Sequence, residues 1–214
     1  MSTTKKIFWT LIAFDIFFVI LHLAFGERFD LFHLDRERTF VAYYSGAKLV
    51  AVAALGVCGF LLSSGRMRLT WVVFSFLFLG LGFDEISELH ENITYYAMAY
   101  GAGVIEGASF FRSPTYNWLL ILMPFMILAF VFLFWFSKTI FSLTQEGYRW
   151  FITSLGMFLF ALSLEFIGGI FFFSFGPLKL FVIEEFVEMI ATTSMVYASI
   201  LVVSSIFARQ YVRR

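Results

Sequence analysis

Long apolar runs separated by short polar connections organise this chain, and each run is close to the length that crosses a bilayer. Ile7 to Phe25 is 19 residues, enough to span a hydrocarbon core of about 30 Å at ~1.5 Å per residue. Phe40 to Ser64 is a second run, closed by the basic turn GRMR, and Leu69 to about Asn92 is a third. Trp118 to Ser137, Trp150 to Ser174 and Leu180 to Phe207 complete six. Pro124 falls inside the fourth and predicts a kink there, because proline removes a backbone donor and crowds the preceding turn. Between the third and fourth runs, Ile93 to Asn117 is rich in Tyr, Gly and Ala and carries Glu106, Arg112 and Pro114. It is too polar to span and too apolar for an ordinary loop, so it is expected to lie on the membrane surface. The pattern predicts an all-α fold: one domain over 1–214, a polytopic bundle of six transmembrane helices with an interfacial segment at about 93–117.

Composition narrows the class. With 61% hydrophobic and 14% charged residues, the chain has too little polar surface to cover a soluble globule. Its 32 phenylalanines suit helix faces that meet acyl chains. A formal net charge of zero gives no basic patch for nucleic acid. The expected partners are the lipid bilayer and a membrane-protein partner or a second copy of the chain. Cys58 is the single cysteine, which excludes an intramolecular disulfide and multi-cysteine metal motifs. MSTTKK before an apolar run has the flank of a signal peptide. The run lacks a small-residue cleavage site and contains Asp15 and His22, so it is read as a retained first helix.

Charge placement gives an orientation. Lys5, Lys6, Arg66, Arg68, Lys138, Arg149, Arg209, Arg213 and Arg214 fall on the side of the N-terminus, against Arg28, Arg36, Arg38, Arg112 and Lys179 on the other. Enrichment of Lys and Arg in cytoplasmic loops predicts that both termini lie in the cytoplasm and that the protein resides in the cytoplasmic (inner) membrane.

One stretch breaks the apolar pattern: LGFDEISELHEN over 81–92, with Asp84, Glu85, Glu88, His90 and Glu91. A carboxylate at the centre of a bilayer helix costs roughly 2.5–3.5 kcal/mol on insertion scales, so such residues are functional-site hypotheses. Counting ~1.5 Å per residue from each interface puts Asp84 and Glu88 about 20–27 Å above the inner face, with Glu165 and His22 at about 22 Å. Entering from outside, Lys48 is about 12 Å deep and Glu184, Glu185 and Glu188 are about 6–13 Å deep. Ionisable groups from several helices therefore converge on one level in the outer half.

Helical spacing sharpens the convergence. At 100° per residue, Asp84, Ser87, Glu88 and Glu91 share a stripe with Glu85 at its edge, while His90 points elsewhere. Glu185, Glu188 and Thr192 form a second stripe with Glu184 beside it. Asp15 shares a face with His22 and lies deeper, where it would extend a polar path toward the cytoplasm. Gathered carboxylates repel one another and lose hydration, and the cost must be offset by protons, by Lys48 with His22 and Arg112, or by a bound cation.

Carboxylates from several helices with an imidazole are the ligand set of carboxylate-bridged metal sites inside bundles. The expected set for a divalent metal ion is Asp84, Glu88, Glu165, Glu185, Glu188 and His22, supported by Glu85, His90, Glu91, Glu184, Lys48 and Asp15. No organic cofactor motif is evident. The spacing departs from known metal motifs: ELHE is not Glu-x-x-His, and HEN lacks the second His of His-Glu-x-x-His.

At LGFDEISELHE and VIEEFVEMI the sequence resembles a loose set of uncharacterised bacterial multi-pass membrane proteins that pair an L-D-E...H-E helix with a late E-E-x-x-E-M helix. Phe83 stands where that set usually has Leu. The resemblance implies that Asp84, Glu85, His90, Glu91, Glu184, Glu185 and Glu188 form a linked pair of motifs, and implies no activity. The functional expectation is an intramembrane acidic site that binds a divalent cation, in a metalloenzyme or in cation handling. The alternatives are an accessory or structural subunit without its own chemistry and a proton-coupled transporter.

Overall fold

The computed structural model describes residues 2–26, 28–34, 39–87, 89, 92, 117–171, 174–175 and 178–212. Among the described residues six long helices run through the chain: α1 Thr3–Leu21, α2 Phe40–Leu62, α3 Arg66–Ser87, α4 Asn117–Thr139, α5 Gln145–Phe171 and α6 Leu180–Val212. All six have a segment long and apolar enough to cross a membrane. Their outward faces carry Trp9, Phe76, Phe125 and Leu128, all exposed, which suits lipid as the surrounding solvent and would be an aggregation liability in water. The chain is a multi-pass membrane protein. The expected interfacial segment lies largely outside the described residues.

Local chemistry sets the helix ends. Ser2 Oγ accepts from the Lys5 N–H at 3.4 Å to start α1, and Thr39 Oγ1 accepts from the Ala42 N–H at 3.2 Å to start α2. Thr144 does the same for α5, accepting from the Gly147 N–H at 3.1 Å. Each satisfies a donor that the first helical turn leaves without an intrahelical partner. Gly65, at φ +61°, turns the chain between α2 and α3 in a conformation that side chains with a Cβ disfavour. A two-residue antiparallel ladder, Ser174 with Lys179 and Phe175 with Leu178, joins α5 to α6.

α6 is the hub. Every residue from Ala191 to Ser199 is buried, and 61% of its spanning window is buried against 17% for α1. It packs on α5, α2 and α1, while α2 and α3 form a close antiparallel pair. That closeness depends on small residues: a Cβ on Gly59 would lie 2.4 Å from the Trp71 ring. Because lipid is as apolar as the helix surfaces, tight packing rather than escape from water holds such pairs together.

The core joins α3, α4 and α5 through stacked rings. Phe74 and Phe136 are parallel within 5° with centroids 4.8 Å apart, and Phe141 and Phe151 stack at 3.9 Å. Trp71 meets Phe74 and Phe136 edge-on. This aromatic layer is the floor on which the polar site stands.

Candidate functional site

Above the aromatic layer, α2 to α6 enclose a cavity of about 590 Å³. Its polar wall holds Asp84 and Glu85 from the end of α3, Glu165 from near the end of α5, and Glu184, Glu185 and Glu188 from the start of α6. Ser45 and Thr192 add hydroxyls, and the opposite wall is apolar, with Leu122, Met126 and Phe130 of α4. Phe78, Leu133 and Leu155 line the cavity and belong to the buried core, so the core closes its inner side. All six carboxylate residues are half-buried.

The antiparallel course of the helices explains the gathering. α3 and α5 finish where α2 and α6 begin, so acids late in two helices meet acids early in a third. The 3.6-residue period of α6 sets Glu184, Glu185, Glu188 and Thr192 on the cavity side, and the Thr192 hydroxyl donates to the Glu188 carbonyl oxygen at 2.9 Å. Glu85, expected at the edge of its stripe, lines the cavity with Asp84.

Lys48 and Asp15 take a different place from the one their depths predict. Lys48 Nζ is 2.7 Å from Asp15 Oδ1, donates to the Met189 carbonyl oxygen at 2.9 Å and lies 3.3 Å from Thr193 Oγ1. The Thr193 hydroxyl donates to Asp15 Oδ2 at 2.7 Å. The ammonium also sits 4.4 Å from the centre of the Tyr44 ring, a cation–π contact. An acceptor is thus available for each of the three ammonium protons. Neither Lys48 nor Asp15 lines the acidic cavity. Lys48, expected to offset the cluster, makes its ion pair with Asp15, and Asp15 closes a polar knot among α1, α2 and α6. Thr193 and Tyr44, which complete the knot, carry no sequence signal beyond a hydroxyl and a ring in apolar helices.

His22 also stands apart from the cavity lining. It opens a π-helical turn, His22–Gly26, that continues α1. Gly26 leaves room for its ring, since a Cβ there would fall 2.3 Å from Nδ1. Nδ1 accepts from the Leu34 N–H at 3.3 Å, and the ring meets His33 edge-on at 4.9 Å. Leu34 lines the cavity, so His22 buttresses the wall from behind. His33 stacks on Phe181.

Glu88, His90 and Glu91 lie outside the described residues, as does Arg112. Among the described residues no group of three or more His, Cys, Asp or Glu side chains could hold a metal ion.

These features define a multi-pass membrane protein, with six candidate spans among the described residues and an acidic cavity between its helices. The chain belongs to the family described as Domain of unknown function (DUF8692), whose model matches residues 9–203. No curated protein and no solved structure matches it.

Proposed function

We propose that the protein is an integral protein of the cytoplasmic membrane, with both termini in the cytoplasm, that binds a cation in an acidic cavity facing the outer side. The observation that carries this reading is the lining of one 590 Å³ cavity by six carboxylates from three helices. A ligand site of this kind falls in the usual 300–1,000 Å³ range. The excess of Lys and Arg on the terminal side supports the orientation.

Because no group of three or more described His, Cys, Asp or Glu side chains could hold a metal ion, a cation held through its water shell, or an organic cation of diffuse charge, suits the cavity better than an ion stripped and chelated by these residues. A divalent ion that keeps part of its hydration is compatible with it. The core residues at the inner side, and the commitment of Asp15 to Lys48, favour a one-sided binding site over a through-path.

Thermal unfolding of the purified protein against magnesium, calcium, manganese and tetramethylammonium tests the reading. One of these cations should raise the midpoint saturably, by an amount equivalent to about 2.7 kcal/mol at a hundred times its Kd. Glu185→Gln/Glu188→Gln should fold and lose that response. Equal responses in the two proteins, or none in either, would overturn cation binding here.

A further inference from the structure

A groove of about 730 Å³ runs between α4 and α5. Met123, Ile127 and Val131 line it from α4, and Leu159, Ser163 and Ile167 from α5. Ser163 is the one hydroxyl among the described residues of this lining, and it donates to the Leu159 carbonyl oxygen at 2.7 Å, so the groove makes no demand for a polar partner. Ile127, Val131 and Leu159 are exposed, which turns the opening toward the acyl chains of the bilayer. α4 packs far less closely on α5 than α6 does. Tight packing is what holds helices together in lipid, and a void between two helices forfeits dispersion contacts on both of its walls.

The groove face of α4 ends in a cation. Met123, Ile127, Val131, Phe134 and Lys138 recur every three or four residues, which sets them one above another along the helix. Lys138 is exposed in the last turn of α4. Its Nζ lies 5.1 Å from the centre of the Phe134 ring, so the ammonium folds back along the helix toward the groove. At ~1.5 Å per residue, Val131 stands about 10 Å and Met123 about 22 Å along α4 from Lys138, against a hydrocarbon leaflet about 15 Å deep. A chain rooted at Lys138 therefore passes Phe134 and enters the groove within its own leaflet. The connection over 138–149 adds Arg149 and a single acid, Glu146, whose carboxylate accepts from the Tyr197 hydroxyl at 2.9 Å.

We propose that this face binds an anionic phospholipid of the leaflet at the Lys138 end, with its phosphate at the Lys138 ammonium and one acyl chain running past Phe134 into the groove. Charge complementarity selects the head, since basic residues just outside a span attract anionic headgroups. The apolar lining selects the tail. The bound chain gives α4 the packing that its contacts with α5 leave thin. The site does not depend on what the acidic cavity binds.

The test is native mass spectrometry of the full chain in detergent, with dioleoyl phosphatidylglycerol and dioleoyl phosphatidylcholine as probes. The first phosphatidylglycerol should bind about fivefold tighter than the first phosphatidylcholine, as one basic residue near the surface gives, and Lys138→Gln should bring the two level. Arg66→Gln, at the same end of the bundle but at the start of α3, should leave the preference intact. Ser163→Phe and Ile127→Trp fill the groove from its two walls, and each should weaken the first phosphatidylglycerol roughly threefold or more, through lost burial of the chain. Both residues are exposed, and an unchanged melting temperature of the lipid-free protein reports an intact fold. Equal loss of the preference in Lys138→Gln and Arg66→Gln would mean diffuse surface charge and would overturn the site. A preference that depends on Lys138 but ignores both groove variants would put the chain elsewhere, and no preference at all would remove the headgroup contact; either result would overturn it.

Discussion

Lys48 on α2 reaches Asp15 on α1 with 2.7 Å between Nζ and Oδ1, and the two side chains are 4% and 0% exposed. The pair ties α1 and α2 to the central α6, through Met189 and Thr193. Its components depend on one another. Lys48→Met should destabilise the protein by about 3–5 kcal/mol, because Asp15 would remain buried without its counter-ion. Asp15→Leu/Lys48→Met should recover most of that loss, as apolar replacements of whole buried pairs often do. Unfolding titrations in SDS compare the three proteins. A double variant as unstable as Lys48→Met would contradict a role confined to pairing.

The α2–α3 contact makes a separate prediction from two glycines that differ only in surroundings. A Cβ on Gly59 would meet the fully buried Trp71 ring, whereas nothing lies within 4 Å of one on Gly80. Gly59→Val should cost about 1–3 kcal/mol or more through overpacking. Gly80→Ala should be neutral or stabilising by up to about 1 kcal/mol, since alanine is the better helix former. Melting temperatures decide it, and equal effects at the two sites would contradict the packing described.

His22 links the π-helical turn to the cavity wall through a buried hydrogen bond from the Leu34 N–H. His22→Leu should leave that donor without its acceptor, at a cost of about 1–3 kcal/mol. Because Leu34 lines the cavity, cation affinity should also fall several-fold in this variant. Unchanged stability and affinity together would show that the buttress is not needed.

Much of the architecture was legible because bilayer thickness fixes span length whatever the sequence. The ends were less so: α3 starts at Arg66 rather than Leu69, and α6 runs to Val212 rather than Phe207, because a helix continues through polar residues once it leaves hydrocarbon. The acidic wall was legible in part, since helical period fixes which acids share a face with Glu185 and Asp84. The partner of Lys48 was not. Depth counted at Cα ignores a four-carbon stem that carries the ammonium about a helical turn away from its own backbone. The direction of His22 was equally hidden, being set by a π-helical turn that periodicity does not reveal. The apolar half of the cavity could not be distinguished either, since Met126 and Phe130 resemble any lipid-facing residues until α5 is placed beside them.

Calorimetric titration decides whether the carboxylates of α3, α5 and α6 form one cation site. Purified protein, stripped of divalent ions by chelator and dialysis, is titrated with magnesium, calcium, manganese and tetramethylammonium beside Glu165→Gln/Glu188→Gln. At least one cation should bind near-stoichiometrically to the native protein and at least tenfold more weakly to the variant, with both proteins equally folded by circular dichroism. Identical titrations for the two proteins, or none with any cation in either, would contradict it.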